Sequence, residues 1–220
     1  MEQIPDLLKP TRVLIEPHYI PTLEFFTAIA PFTVIILDIH SYYIKQTWRN
    51  RTIINTANGI QSLIVPVTNK TNRTALRDIK TLETNHWRQN HWRTIESAYR
   101  NAPFYEYYSD DLKRIILDES VTDLHHLNYN ILSICLGWLG WNKKLLFSEN
   151  FIENFDGLDL RHHLKPKISF TQRSILSPVT YRQVFGSDFA PNLSLADLVF
   201  CTGPEAVRIL DKSGRVNESF

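Results

Sequence analysis

Val13-Leu14-Ile15-Glu16-Pro17-His18-Tyr19-Ile20-Pro21-Thr22, then Leu23-Glu24-Phe25-Phe26-Thr27-Ala28-Ile29-Ala30-Pro31, then Thr33-Val34-Ile35-Ile36-Leu37-Asp38-Ile39-His40, is the stretch that decides the fold. The first apolar run is stopped by Pro17. Thr22 then stands where a helix can be capped, and Phe25, Phe26 and Ile29 recur at helical spacing before Pro31 breaks the helix. Thr33 to Ile39 is long enough for a buried strand and rich in β-branched residues. The expected start is therefore a β-α-β unit. In a parallel sheet of that kind both strand ends lie at one edge, so Glu16, His18 and Tyr19 are expected beside Asp38 and His40. Imidazole titrates near neutral pH, which makes His18 and His40 candidate general bases, with Asp38 or Glu16 orienting them.

Immediately downstream, Tyr43-Ile44-Lys45-Gln46-Thr47-Trp48-Arg49-Asn50-Arg51 packs three cations, amides and two large aromatics into nine residues. Guanidinium forks and a lysine point charge suit a phosphate or carboxylate, and Tyr43 and Trp48 suit a ring or sugar face. The competing reading is a solvated basic surface with Trp48 filling the core. Thr52-Ile53-Ile54 and Ser62 to Val67 flank Asn58-Gly59, whose positive φ angles are expected to make a hairpin turn.

Beyond the hairpin the pattern is mostly helical. Asn69 to Arg77 reads as a polar loop, and a helix is expected from about Thr84, with Trp87, His91, Ile95 and Ala98 on one face and Pro103 ending it. Arg88 and Trp92, four apart, share a face, as do His86, Asn90 and Arg93, which line a cleft or face solvent. His86 and His91 would lie about 140° apart around the axis, which does not suit a shared metal; no metal site is indicated. Further helices are expected through Leu112 to Leu117, from Leu124 to about Leu136 with Gly137 closing it, over Leu193 to Phe200 with Asn192 or Ser194 as cap, and over Pro204 to Leu210. Lys144 to Ser148 reads as a strand, and Asn154 to Arg173 as a long surface excursion, a lid over a site. Asn192 and Asp197 either complete the site or brace the last helices.

With 220 residues and 43% hydrophobic content, one domain spanning 1–220 is expected, its ends frayed at 1–10 and 212–220. Net charge is +1, so nothing global favours nucleic acid or an anionic membrane. Locally the balance differs: ten cations between Lys45 and Arg100 face only Asp78, Glu83 and Glu96. Cys135 and Cys201 lie far apart without a CxxC context, which favours a reducing, cytoplasmic setting over a disulfide framework. The N-terminus lacks a secretory signal pattern, and no run reaches the roughly 18 apolar residues of a membrane span. No GxSxG, P-loop or GxGxxG occurs, so no cofactor is named by a motif and any phosphate must be held by side chains or helix N-termini.

Taken in order, Glu16-Pro17-His18-Tyr19-Ile20-Pro21, Tyr43-x-Lys45-x-x-Trp48-Arg49-Asn50-Arg51, Val65-Pro66-Val67 and His91-Trp92-Arg93-Thr94-Ile95-Glu96-x-Ala98-Tyr99 resemble the WbqC-like family. So does the closing Phe189-x-Pro191-Asn192-Leu193-Ser194-Leu195-x-Asp197-Leu198-Val199-Phe200. Glu16 and Glu24 depart from the Gln and Gly of that pattern, and Tyr42 stands where another polar group is common. The resemblance implies a role in bacterial surface-polysaccharide (O-antigen) biosynthesis. It implies a transferase or ligase acting on a nucleotide-activated sugar or an acyl or aminoacyl donor, with transfer to an amino sugar. The expected fold is α/β, a Rossmann-like or nucleotidyltransferase-like β-α-β core with an inserted hairpin and a helical C-terminal half. The expected partner is a phosphate-containing small molecule, held by Tyr19, Tyr43, Lys45, Trp48, Arg49, Asn50, Arg51, His91, Arg93, Asn192 and Asp197. The alternative is a nucleic-acid-binding or non-catalytic assembly protein using the basic 45–100 region.

Overall fold

The computed structural model of the protein describes residues 12–68, 71, 73–82 and 86–214. Strand β1 (Arg12–Ile15), helix α1 (Leu23–Ile29) and strand β2 (Val34–Leu37) form the expected β-α-β unit, β1 pairing parallel to β2 from Arg12↔Val34 to Ile15↔Leu37. Both strands are apolar nearly throughout, as a sheet covered on both faces requires. Strand β3 (Arg51–Thr56) and strand β4 (Gly59–Ile64) make the hairpin as a separate antiparallel ribbon. Of the Asn58-Gly59 pair only Gly59 takes a positive φ, +93°. The turn therefore needs one glycine and not two left-handed residues.

Helices α2 (Trp87–Tyr99), α3 (Tyr105–Leu117) and α4 (Leu124–Trp138) pack in succession. Left-handed His86 (φ +49°) precedes Trp87; the expected start at Thr84 lies outside the described residues, as do parts of the 69–77 loop. Gly137 falls inside α4 and does not close it; left-handed Gly140 (φ +63°) lies just past the last turn. Strand β5 (Lys144–Phe147) joins β2 in parallel, and the two-residue strand β6 (Leu158–Asp159) joins β1 in parallel. Helices α5 (Leu195–Thr202) and α6 (Ala206–Ser213) finish the chain. Lys212 and Ser213 are helical and Gly214 bridges Leu176, so the expected fraying at 212–214 does not occur. Residues 1–10 and 215–220 lie outside the described set.

The sheet order is β5-β2-β1-β6. Counting only its own strands, that is third, second, first, fourth, so the direction of progression reverses between β1 and β6. The 154–173 span is therefore not simply a surface excursion, because it supplies the edge strand beside β1. One apolar cluster runs from Val13, Ile15 and Leu37 through Phe25 and Phe26 to Tyr99, Leu132 and Phe200.

Candidate functional site

All four sheet strands are parallel, so the residues that follow them share one edge. Ligands of open parallel sheets bind outside that carboxyl edge, where strand order reverses. After β1 comes Glu16, 3% exposed. Its Oε1 accepts from Arg49 Nη2 at 2.5 Å and lies 2.6 Å from His162 Nδ1, which follows β6. Burial opposes ionisation of this carboxyl, yet the His162 hydrogen bond and the Arg49 charge prevail and hold it down at about 2. With Nδ1–H donating to Glu16, His162 presents a free Nε2 on a side chain 40% exposed. The backbone of His162 is left-handed (φ +64°), a conformation a non-glycine residue keeps only when its surroundings impose it.

After β2, Asp38 accepts from the Ser41 hydroxyl and from the backbone N–H groups of His40 and Ser41. Arg161, next to His162, lies 3.5 Å from Asp38 and 2.6 Å from Asp159. His40 Nδ1 is 3.0 Å from the Ser148 hydroxyl at the end of β5. Carboxylates and bases that follow β1, β2 and β6, with the Ser148 hydroxyl after β5, thus gather at one edge. His18 and His40 share that edge but not one pocket. His18 is sealed against Phe25 with its Nδ1 unpartnered, and burial pushes its imidazole down to about 4, with Glu16 pulling upward and Arg49 downward.

The loop between β1 and α1 is held rigidly. Asn128 of α4 donates to the carbonyls of both Pro17 and Arg49, the Tyr19 N–H donates to Trp48, and Thr52 Oγ1 donates to Ile20. Ile20 itself has φ +39°, rare for a β-branched residue and a mark of imposed backbone strain.

The three cations of the 43–51 segment separate. Arg49, fully buried, spends Nη2 on Glu16 and Nη1 on the Tyr42 carbonyl. Lys45 is exposed. Arg51 alone lines a cavity of about 440 Å³, together with Trp48, Ile53, Ile60, Ile168 and Phe170. Tyr43 is buried, which raises its phenol, with the Arg49 and Arg51 charges acting oppositely. Asn50 is a structural amide, donating to the Val65 carbonyl.

The remaining expected site residues lie apart from the edge cluster. Tyr19 and His91 form a buried pair, hydroxyl to Nδ1 3.0 Å; burial pushes His91 down to about 4 and Tyr19 upward. Arg93 lines a second cavity, of about 290 Å³, with the hairpin turn residues Thr56, Ala57 and Asn58. Asn192 lines the larger cavity but directs its Oδ1 to the Glu24 N–H, satisfying a donor in the first turn of α1. Asp197 is fully buried and accepts from Tyr181 and Gln183, with burial raising its carboxyl despite those bonds. The expected polar helix face also changes character, since Arg88 is buried and donates to the carbonyls of Ile116 and Val121.

Sequence reasoning missed His162, Arg161 and Arg173. His162-His163 stood in a polar span whose two-residue strand is too short to show a period. The available signal was the run Leu158-Asp159-Leu160-Arg161, an apolar alternation ending in charge. Glu24, one of the departures noted above, is bound by Arg173 through two contacts of 2.6 Å, which tie the 160–173 segment to α1.

The parallel α/β sheet carries side chains, not glycine loops, at this edge. The chain belongs to the WbqC-like protein family, whose match spans residues 16–165. It is 29% identical over 222 positions to the uncharacterized protein Rv1507c of Mycobacterium tuberculosis (strain ATCC 25618 / H37Rv), covering 88% of this chain and 94% of that protein. No solved structure matches it.

Proposed function

We propose that the protein is a group-transfer enzyme of surface-polysaccharide biosynthesis. It takes a nucleotide-activated sugar or an acyl or aminoacyl donor and transfers to an amino sugar. The single observation that supports this most is the Glu16–His162 pair at the point where strand order reverses, with Arg49 fixing the carboxylate. The strand order matches the first four strands of a Rossmann-type doubly wound sheet, which supports a nucleotide-type or other activated donor. His162 Nε2 takes the proton of the acceptor amine as its nitrogen attacks the donor. The new C–N bond forms, and the bond to the donor's leaving group breaks with its electron pair. Glu16 keeps the imidazole in the right tautomer and stabilises the imidazolium. Trp48 and Arg51 hold the donor in the neighbouring cavity. Buried, unpaired Cys135 and Cys201 accord with a cytoplasmic setting.

The nucleic-acid alternative draws less support, because Arg49 and Arg88 are internal braces and not members of a basic surface. No described helix is long and apolar enough to cross a membrane.

A thermal-shift panel of nucleotide sugars, aminoacyl and acyl donors and ATP tests the reading. A ligand at 100 times its Kd adds about 2.7 kcal/mol, which is roughly 5–10 °C for a chain of this size. The same ligand, mixed with amino sugars, should be consumed by the native protein and not by His162→Gln. A panel without any shift overturns the proposal.

A further inference from the structure

The larger cavity is chemically lopsided. Its wall is formed by Trp48, Ile53, Ile60, Pro166, Ile168 and Phe170, and Ile60 and Ile168 remain 58% and 41% exposed at its mouth. Side chains that stay that apolar and that open are costly in water unless something covers them.

Its polar groups are nearly all spent. Arg173 gives Nε and Nη2 to Glu24 and Nη1 to the carbonyls of Lys165 and Ile168. Ser169 bonds to Thr171, and Asn192 to Glu24. Apart from the exposed Ser62 hydroxyl, Arg51 is the exception among the described residues lining the cavity. Its guanidinium has no hydrogen-bond or ion-pair partner, and its Nε is buried. A guanidinium that lines a cavity with no acceptor of its own among the described residues is free to bind an anion there.

One unspent cation in an apolar chamber does not suit a diphosphate, which needs several converging donors, and neither a glycine nor an α-helix terminus lines the space. Resting on the donor-binding role given above, we infer that this cavity takes an acyl-bearing donor: an apolar chain along Ile53, Ile60, Ile168 and Phe170, with a single anionic head on Arg51. Trp48 lines the same cavity. The volume of about 440 Å³ is within the range of pockets that hold small organic ligands. The 166–173 segment supplies the chamber's outer side and is fastened by Arg173 to Glu24, so the cavity is preformed.

Calorimetric titration of the intact protein with butyrate, hexanoate, octanoate, octyl phosphate, inorganic phosphate and UDP tests this. Each buried methylene is expected to tighten binding about three- to four-fold until the chamber is full. Octanoate against octyl phosphate then separates a carboxylate from a phosphate head. Arg51→Ala should weaken the octyl probes about ten- to a hundred-fold. Ile60→Asp, at an exposed position, should flatten the dependence on chain length, with unfolding by urea confirming that both variants fold. Affinity indifferent to chain length, or UDP bound more tightly than any acyl probe and unaffected by Ile60→Asp, overturns the acyl assignment while leaving a donor site. Absence of binding by every probe and by the donor panel overturns both.

Discussion

Replacing Arg49 should be among the most damaging single changes in this protein. Its side chain is fully buried and meets the Glu16 carboxylate at 2.5 Å in a space where only 4% of the Glu16 side chain reaches solvent. The fall of the Glu16 carboxyl from 4.5 to about 2 corresponds, at about 1.4 kcal/mol per unit, to roughly 3 kcal/mol of preference for the ionised form. That preference is the net of burial, which opposes ionisation, against the His162 hydrogen bond and the Arg49 charge, which favour it. Arg49→Met keeps the aliphatic stem but leaves the buried Glu16 carboxylate with His162 alone and strands the Tyr42 carbonyl, and is expected to lose about 3–5 kcal/mol. The native chain has only about 5–15 kcal/mol in total, so the urea midpoint should fall by a large fraction. Adding Glu16→Gln removes the stranded charge, and the double variant should be more stable than Arg49→Met alone. The pH profile carries the same signature. Glu16 has a depressed folded-state value, so its contribution is complete above about 4.5 and is lost as pH falls toward 2. Urea unfolding of the native protein, Arg49→Met, Glu16→Gln and the double variant at pH 7 and pH 4 reads both effects. An Arg49→Met variant within about 1 kcal/mol of native, or a double variant that loses the sum of the single losses, refutes the reasoning.

Three other outcomes are expected. His18 and His91 are each pushed down to about 4, chiefly by burial, while the unfolded chain binds protons near 6.5; stability is complete above 6.5 and falls as pH drops toward 4. Urea midpoints at pH 7, 5.5 and 4.5 check the slope, which His91→Phe should flatten. Gly203→Ala places a Cβ 2.5 Å from the Phe104 ring at φ +54°, so a loss of about 1–3 kcal/mol is expected in thermal unfolding, and a native melting temperature would count against it. Labelled single- and double-stranded oligonucleotides should show none of the roughly 1–100 μM salt-sensitive binding of a nucleic-acid protein. Binding that collapses with salt and with Arg93→Ala/Arg100→Ala would restore that alternative.

Glu16 and Glu24, two of the departures from the family pattern, are both buried carboxylates clamped by arginines, Arg49 and Arg173. From the residues alone, Glu16 is expected to orient a general base and Glu24 carries no assigned role. The partner of Glu24 lies 149 positions away, and no local period carries that information.

What the sequence by itself determined was local and periodic. Proline and glycine punctuation, β-branched runs and 3.6-residue spacing were enough to set out the β-α-β start, the hairpin, strand β5 and helices α2, α4, α5 and α6 to within a few residues, whereas α3 begins at Tyr105, seven residues before the expected Leu112. They also placed Glu16, His18, Asp38 and His40 at one sheet edge, because a parallel connection leaves no other arrangement. Only the tertiary structure decided which of three neighbouring cations stays free. Arg49 turns inward to Glu16, Lys45 outward to water, and Arg51 into a cavity, although all three occupy one basic segment of the chain. Only it brought His162 to Glu16, through a two-residue strand whose pairing with β1 depends on a long-range contact. The physical reason is that side-chain direction and charge pairing follow from what packs against a segment. Composition states how many cations there are, and burial decides which of them must find a partner inside.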